Sequence, residues 1–306
     1  MKKRYLGTVT LLTCMIGLSY GQTASFLNSF SDARTAGMGN AGYVLSSPFA
    51  VHHNIAAMMP KSGPSAGVGL SGVFWQPNAI NSTIFNVSGY TKFKNFGFAV
   101  GFRNNSLGAI EEMDDQGNAG ASFSPSEYAL EVGVGYNVSA DISLGATMRQ
   151  IGSNIYKDNK GSAVAADIAL LYHSADLTLG LGLTNLGSKI DYGRGSYSLP
   201  SRFRTGAAYQ FLSKDKHALK GVADAAYQFT PDHSGVAAGL GAEYNYNNML
   251  SMRTGYHFEG EKVGDSYATL GGGVYFSGFS FDIAYMIGGS NSYMGQTMIF
   301  SLKWTK

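Results

Sequence analysis

The chain has 306 residues, a net charge of +2 and only 14% charged residues, a balance too neutral to imply a nucleic-acid partner or a strongly acidic one. Its 41 glycines, 19 tyrosines and 18 phenylalanines suit aromatic-girdled β-strands better than helices. The single cysteine, Cys14, excludes a disulfide framework.

Residues 1–21 have the layout of a secretory signal peptide. Met1, Lys2, Lys3 and Arg4 form a basic start, an apolar run spans Leu6 to Leu18, and Ser19 and Gly21 put small residues three and one positions before Gln22. A lipoprotein would use Cys14, but Thr13 precedes it and the apolar run continues through Met15, Ile16 and Leu18. Cleavage after Gly21 removes Cys14, and with it thiol catalysis and cysteine-based metal ligation. Beyond residue 21 no segment approaches the roughly eighteen uninterrupted apolar residues of a transmembrane helix. A membrane location then requires a closed barrel, since only helices and edge-free sheets satisfy every backbone polar group inside lipid.

Residues 22–64 do not alternate between apolar and polar positions. Ser46-Ser47-Pro48 reads as an N-cap with proline in the first turn, so one short helix is expected over 48–59, ended by Pro60. A segment of this length before the first strand is expected to fold as a plug into the periplasmic mouth of the barrel. The alternative, a disordered tail, would leave Met38, Val44, Phe49 and Val51 in water.

From residue 65 the sequence alternates in runs long enough for tilted strands to cross an outer membrane. Fourteen are expected, at 65–75, 83–93, 96–104, 126–138, 142–152, 162–173, 176–186, 201–212, 218–229, 235–246, 249–258, 267–277, 279–288 and 296–305. The fourth is the clearest: Tyr128, Leu130, Val132, Val134, Tyr136 and Val138 share one face, and Glu127, Glu131, Gly133, Gly135 and Asn137 the other. A soluble sandwich would turn the polar face outward instead. Connections alternate between short (94–95, 139–141, 173–175, 213–217, 247–248 and 278) and long (76–82, 105–125, 153–161, 187–200, 230–234, 259–266 and 289–295). That asymmetry belongs to outer-membrane barrels, with short periplasmic turns and longer extracellular loops. The fold class is therefore all-β: a 14-stranded antiparallel transmembrane barrel over 65–306, with signal peptide 1–21 and plug 22–64. The last strand sets Met298, Phe300, Leu302 and Trp304 on one face, which resembles the terminal assembly signal of such barrels.

No local motif points to catalysis, a cofactor or a metal. Gly67-Val68-Gly69-Leu70-Ser71-Gly72 matches a dinucleotide fingerprint in letters, but no strand precedes it and no helix follows, so small residues on a lumen face explain it better. The histidines, His52, His53, His173, His217, His233 and His257, lack ligand spacing. Glu111, Glu112, Asp114 and Asp115 lack the alternating oxygen ligands and central glycine of a calcium loop and read as a solvated extracellular loop. No Ser, His and Asp trio is placed together by spacing, so the chain is not expected to be an enzyme.

Alternation puts Glu131, Arg149, Asp167, Arg204, Lys220, Asp224, Glu243 and Arg253 in the lumen. With both signs on neighbouring strands, cross-strand ion pairs are expected; an ordinary polar channel wall is the alternative.

The plug carries Ala33-Arg34-Thr35-Ala36-Gly37-Met38-Gly39-Asn40-Ala41-Gly42, followed by His52-His53-Asn54-Ile55-Ala56-Ala57. This resembles the N-terminal signature of the PorV/PorQ family of Bacteroidetes outer-membrane proteins, itself similar to FadL fatty-acid transporters with their fourteen-stranded barrel and N-terminal hatch. Members usually show an Asn-Pro-Ala-Ala sequence where this chain has Asn54-Ile55-Ala56-Ala57. The resemblance makes Arg34, Met38, Gly39 and Asn54 the candidate plug residues. It implies residence in a Gram-negative, Bacteroidetes-type outer membrane and a role in type IX secretion, with secretion subunits or cargo C-terminal domains as partners beside membrane lipid. The alternative it implies is FadL-like transport of a hydrophobic solute. An apolar lumen pocket leading to a gap between strands would favour transport; a charge-filled lumen would favour protein partners.

Overall fold

The structure is a computed structural model that describes residues 23–76, 82–113, 119–156, 159–193, 195–231, 234–260, 264–289, 292 and 295–306. The expected signal peptide, Asp114, Asp115 and His233 lie outside the described residues.

Alternating runs become strands because each places its apolar side chains on one face with a period of two. Fourteen of them close a single antiparallel barrel: β1 (Ala66–Trp75), β2 (Thr83–Phe93), β3 (Phe96–Ser106), β4 (Ser126–Asn137), β5 (Ile142–Tyr156), β6 (Asn159–His173), β7 (Leu177–Gly187), β8 (Arg202–Lys214), β9 (His217–Phe229), β10 (Ser234–Tyr246), β11 (Leu250–Glu259), β12 (Tyr267–Phe276), β13 (Phe279–Gly288) and β14 (Met298–Thr305). Each strand pairs with its sequence neighbours, and β1 closes on β14 with Gly67 opposite Thr305 and Val73 opposite Ile299. The backbone amides of Ser65 and Ala66 donate to the Lys306 carbonyl at 2.6 and 3.1 Å, so the seam has no frayed edge at this end.

Tyr128, Leu130, Val132, Val134 and Tyr136 of β4 are all exposed on the outside, while Ala129, Glu131 and Asn137 are buried within. An exterior of this kind is stable only against lipid. No helix among the described residues is long and apolar enough to cross a membrane.

Connections at one end are tight. Asn247 and Asn248 both take positive φ (54° and 51°), as do Ser277 and Gly278 (50° and 86°), the left-handed pairs that two-residue hairpins require. At the other end the connections carry structure of their own. The expected loop 153–161 is mostly strand: β5 and β6 continue to Tyr156 opposite Asn159, as a ladder projecting past the wall. Ser153, Asn154 and Gly161 are polar or small, so apolar alternation stops before the hydrogen-bonded ladder does. The stretch around Glu111 forms a small hairpin, Ile110–Met113 with Ala119–Phe123, braced by an edge-on Phe123–Tyr156 contact at 4.7 Å.

Residues 23–65 run the full height of the lumen, instead of sitting in one mouth as expected. At the long-connection end Asn28 reaches Asn185 on β7 at 3.0 Å and the Pro200 carbonyl at 3.4 Å. At the short-turn end Lys92 donates to the carbonyls of Pro60 (2.9 Å) and Gly63 (3.1 Å), and Asn137 to that of Met59 (3.2 Å). The reason is compositional: Phe26, Leu27, Phe30, Met38, Phe49, Val51, Ile55, Met58 and Met59 are spread along the whole segment, and all are buried. Burying one such side chain contributes about 1.5–3 kcal/mol.

The expected single helix over 48–59 is two 3-10 turns, Pro48–His52 and Ile55–Met58. They break at Asn54, whose extended backbone lets its side chain cap the second turn. One further 3-10 turn, Ser25–Asn28, and one helical turn, α1 (Ala33–Ala36), precede them.

Candidate functional site: the plug and its lumen contacts

α1 starts where Asp32 accepts from the Thr35 amide at 2.7 Å. Asp32 also accepts from the Ser47 hydroxyl at 3.2 Å, joining the two halves of the plug. From this turn Arg34 reaches the wall of β10 and binds Glu243 with both arms, at 2.7 and 2.8 Å. Met38 is fully buried, and its backbone lies so close to β10 that a Cβ on Gly241 would meet it at about 2.5 Å. Gly39 has φ +67°, and a Cβ there would stand 2.5 Å from the Tyr256 carbonyl oxygen. Only glycine allows both the left-handed backbone and that approach. Asn54 accepts from the Ala56 amide at 3.0 Å and donates to the Tyr43 carbonyl at 2.9 Å, tying a 3-10 turn to the loop before it. All four sequence-selected plug residues therefore touch the wall or hold the plug's own turns, and they stand at different heights rather than in one pocket.

Lumen charges form separate clusters. On β10, β11, β13 and β14, Glu243 takes Arg34 and Arg253 (2.6 Å), Arg253 continues to Asp282 (2.7 Å), and Asp282 forms an ion pair with Lys303 (2.8 Å). On β4 to β7, Glu131 pairs with Arg149 at 3.1 Å and contacts His52 of the plug; Arg149 continues to Asp167 and Asn185. Asn185 sits in a bulge where Thr184 and Asn185 oppose Asp167 alone, and its amide donates to Asp167 at 2.7 Å. Arg204 pairs with Asp224 at 3.7 Å, lies over the Tyr43 ring at 4.8 Å, and Asp224 accepts from the Tyr43 amide at 2.8 Å. Lys220 is the exception: among the described residues no ion pair or hydrogen bond engages its ammonium, although it faces Glu243 across the β9–β10 ladder.

The same alternation brings in charges that were not singled out from the sequence. Arg202 pairs with Glu259 at 2.9 Å, and Asp282 and Lys303 extend the Arg253 cluster. Arg103 is almost fully buried and donates to the plug carbonyls of Leu27 (2.9 Å), Ser29 (3.2 Å) and Phe30 (3.2 Å). All but Glu259, which was expected in the connection 259–266 and instead ends β11, lie at inward positions legible from their strands. Asn185 had no such signal, because a bulge leaves no mark in an alternation pattern.

Within the plug, burial holds His52 and His53 below the usual histidine range, for His53 with further help from Arg204 and His52. Both rings are thus favoured as neutral groups. Burial likewise raises the Tyr43 phenol above its ordinary value. At the long-connection end Ile190 and Leu199 fold inward over Ala24, Phe26 and Leu27, and the Tyr192 hydroxyl bonds that of Ser153 at 2.8 Å. Among the described residues there is no group of three or more His, Cys, Asp or Glu side chains placed to hold a metal. Chemically, the arrangement can immobilise a segment inside a barrel: a buried charge that loses its partner is left uncompensated, which is costly, so each cross-link to the wall fixes the register of the plug.

A family model described as type IX secretion system protein PorV matches residues 20–231. No curated protein matches the chain. Among solved structures, the toluene transporter TbuX of Ralstonia pickettii aligns with a TM-score of 0.63 at 13% identity, covering 92% of this chain and 99% of that one. The toluene transporter TodX of Pseudomonas putida gives 0.64 at 13%, covering 90% and 96%. A FadL homologue of Pseudomonas aeruginosa gives 0.53 at 12%, covering 90% and 98%. At such identities the structural likeness establishes the barrel fold alone.

Proposed function

This chain belongs to the family of the type IX secretion system protein PorV, and on that premise we propose that it is an outer-membrane barrel that serves type IX export by binding proteins, either secretion subunits or the C-terminal domains of cargo, and not by conducting solutes. The reading places it in a Gram-negative, Bacteroidetes-type outer membrane, with the short turns in the periplasm and the long connections outside. It requires no catalytic step, cofactor or metal.

The observation that carries it is the plug. A segment that runs through the lumen from end to end, with Arg34 bound bidentately to Glu243 and Arg103 anchored on three plug carbonyls, supports a sealed barrel whose working surface is its exterior. The exposed hairpin Ile110–Met113 with Ala119–Phe123 offers apolar contact surface at the outer end, where Ile110 and Met113 are 46% and 71% exposed.

A second reading, passage of a hydrophobic solute, is favoured by the barrel architecture shared with the toluene transporters TbuX and TodX. Passage along the lumen would require the plug to give up the Arg34–Glu243 pair, the contact of His52 with Glu131 and the hold of Arg103 on three plug carbonyls each time. Purification of the tagged protein from its native membrane in mild detergent separates the two. Co-purification of secretion subunits or of proteins bearing the cargo domain is expected. A preparation free of such proteins that takes up toluene saturably when reconstituted would favour the transporter.

A further inference from the structure

At the short-turn end the plug leaves part of the lumen open. Between plug residues near 44–46 and 57–63 and the ends of β6 to β9 lies a cavity of about 240 Å³. Its composition is two-sided. Val44, Leu45, Ala57 and Ala208 supply an apolar wall, while Arg34, Lys220 and His173 supply nitrogen donors. Asp176, the one carboxylate of the lining, belongs to an exposed turn at the rim.

The charges do not cancel within this cavity. Glu243 would be the natural partner of Lys220, since the two are directly opposed on β9 and β10. Both of its oxygens are occupied: Oε1 accepts from Arg34, and Oε2 from Arg34 and Arg253 at 2.8 and 2.6 Å. Arg34 is neutralised by the same contact. Lys220 is left half-buried with an ammonium that no described residue pairs, and the buried Nε2 of His173 on the same lining likewise has no hydrogen-bond partner. An ammonium drawn out of bulk water without a counter-ion is costly, and the cost is offset when an anion seats beside it.

We propose that this cavity is a binding site for a small organic anion, whose carboxylate or phosphate group pairs with Lys220 and takes a hydrogen bond from His173 while its body lies against Val44, Leu45, Ala57 and Ala208. One unpaired cation matches one negative charge. The volume admits a compact solute and excludes a folded domain, so the site is separate from any surface that engages protein partners. It opens towards the short-turn end, which makes the ligand a solute of the periplasmic side.

The test is calorimetric titration of the purified full-length mature protein in detergent, with benzoate, inorganic phosphate and the neutral analogue benzamide as probes. Saturable binding of at least one anion, no binding of benzamide, and a loss of at least tenfold in affinity in Lys220→Met are expected. Lys220→Arg should retain binding, and Lys214→Met, at an exposed lysine outside the cavity, should bind as the parent does. Preference for benzoate would identify a carboxylate on an apolar body; preference for phosphate would identify a phosphate ligand. Heat-modifiable migration in gels checks that each variant is folded, and Lys220→Gln replaces Lys220→Met if the latter fails that check. Absence of binding by both anions at millimolar concentration, or unchanged affinity in the folded Lys220 variants, overturns the proposal.

Discussion

Glu243 shows how much a single side chain holds. It receives Arg34 from the plug and Arg253 from the neighbouring strand, and its own side chain is only 3% exposed. Replacing it with alanine leaves Arg34 without a carboxylate and Arg253 with Asp282 alone, and breaking a buried pair by removing one partner costs about 3–5 kcal/mol. Glu243→Ala is expected to lower the urea midpoint of unfolding and to expose the 33–47 stretch to protease first; a parental midpoint would show that the pair contributes nothing. The plug histidines give a pH dependence with a definite sign. His53 lies near Arg204, Arg103, His52 and Glu131, and burial holds its folded-state pKa well below 6.5. The unfolded chain therefore binds the proton more readily. Stability is complete above about pH 6.5 and falls as pH drops from there towards the folded value, by up to about 1.4 kcal/mol per pH unit for each such histidine. Amide protection factors across 48–59 should decrease between pH 7.5 and 5, and His53→Phe should flatten that slope. Of these residues, Arg34, Glu243 and Asn54 could be picked from the sequence, by motif or by alternation. That Arg34 would choose Glu243, and so leave Lys220 alone, could not, because the pairing depends on where the plug lies.

At the scale of elements, strand positions were legible because lipid on one side and a small, polar lumen on the other enforce a period of two along nearly every run. β2, with Thr83–Phe93, and β13, with Phe279–Gly288, coincide with the expected spans to the residue. The pattern fails where its cause is missing. Above the wall neither side meets lipid, so β5 and β6 extend through Ser153 and Gly161 with no apolar signal. In the plug no lipid contact imposes periodicity at all, and the break at Asn54 follows from one side-chain cap. Lumen glycines were readable as small, but not as sockets. A Cβ on Gly145 would meet Ile55 at 2.6 Å and the Ala56 amide nitrogen at 2.7 Å, while one on Gly69 would meet the Phe49 ring at 2.6 Å. Gly145→Leu is thus expected to expel the second 3-10 turn while the barrel, whose ladder does not involve that side chain, still forms. Limited proteolysis should cut the variant within 48–59, with heat-modifiable migration retained. Protection equal to the parent would show that the wall yields instead of the plug.

For the molecule as a whole, barrel and plug are complementary halves of one closed body. The ladder from β1 to β14 is complete without the plug, so its backbone polar groups are satisfied whether or not the lumen is filled. The plug in turn depends on the barrel, since turns as short as Ala33–Ala36 and Ile55–Met58 are not stable in isolation. Removing residues 24–60 should therefore cost occlusion and not assembly. Planar-bilayer recording of the intact protein beside this deletion reads occlusion directly. The intact protein should show little or no conductance and the deletion, folded by heat-modifiable migration, a clear rise; equal conductance in the two would mean that the segment does not seal the lumen, and a role confined to the protein's exterior would lose its structural basis.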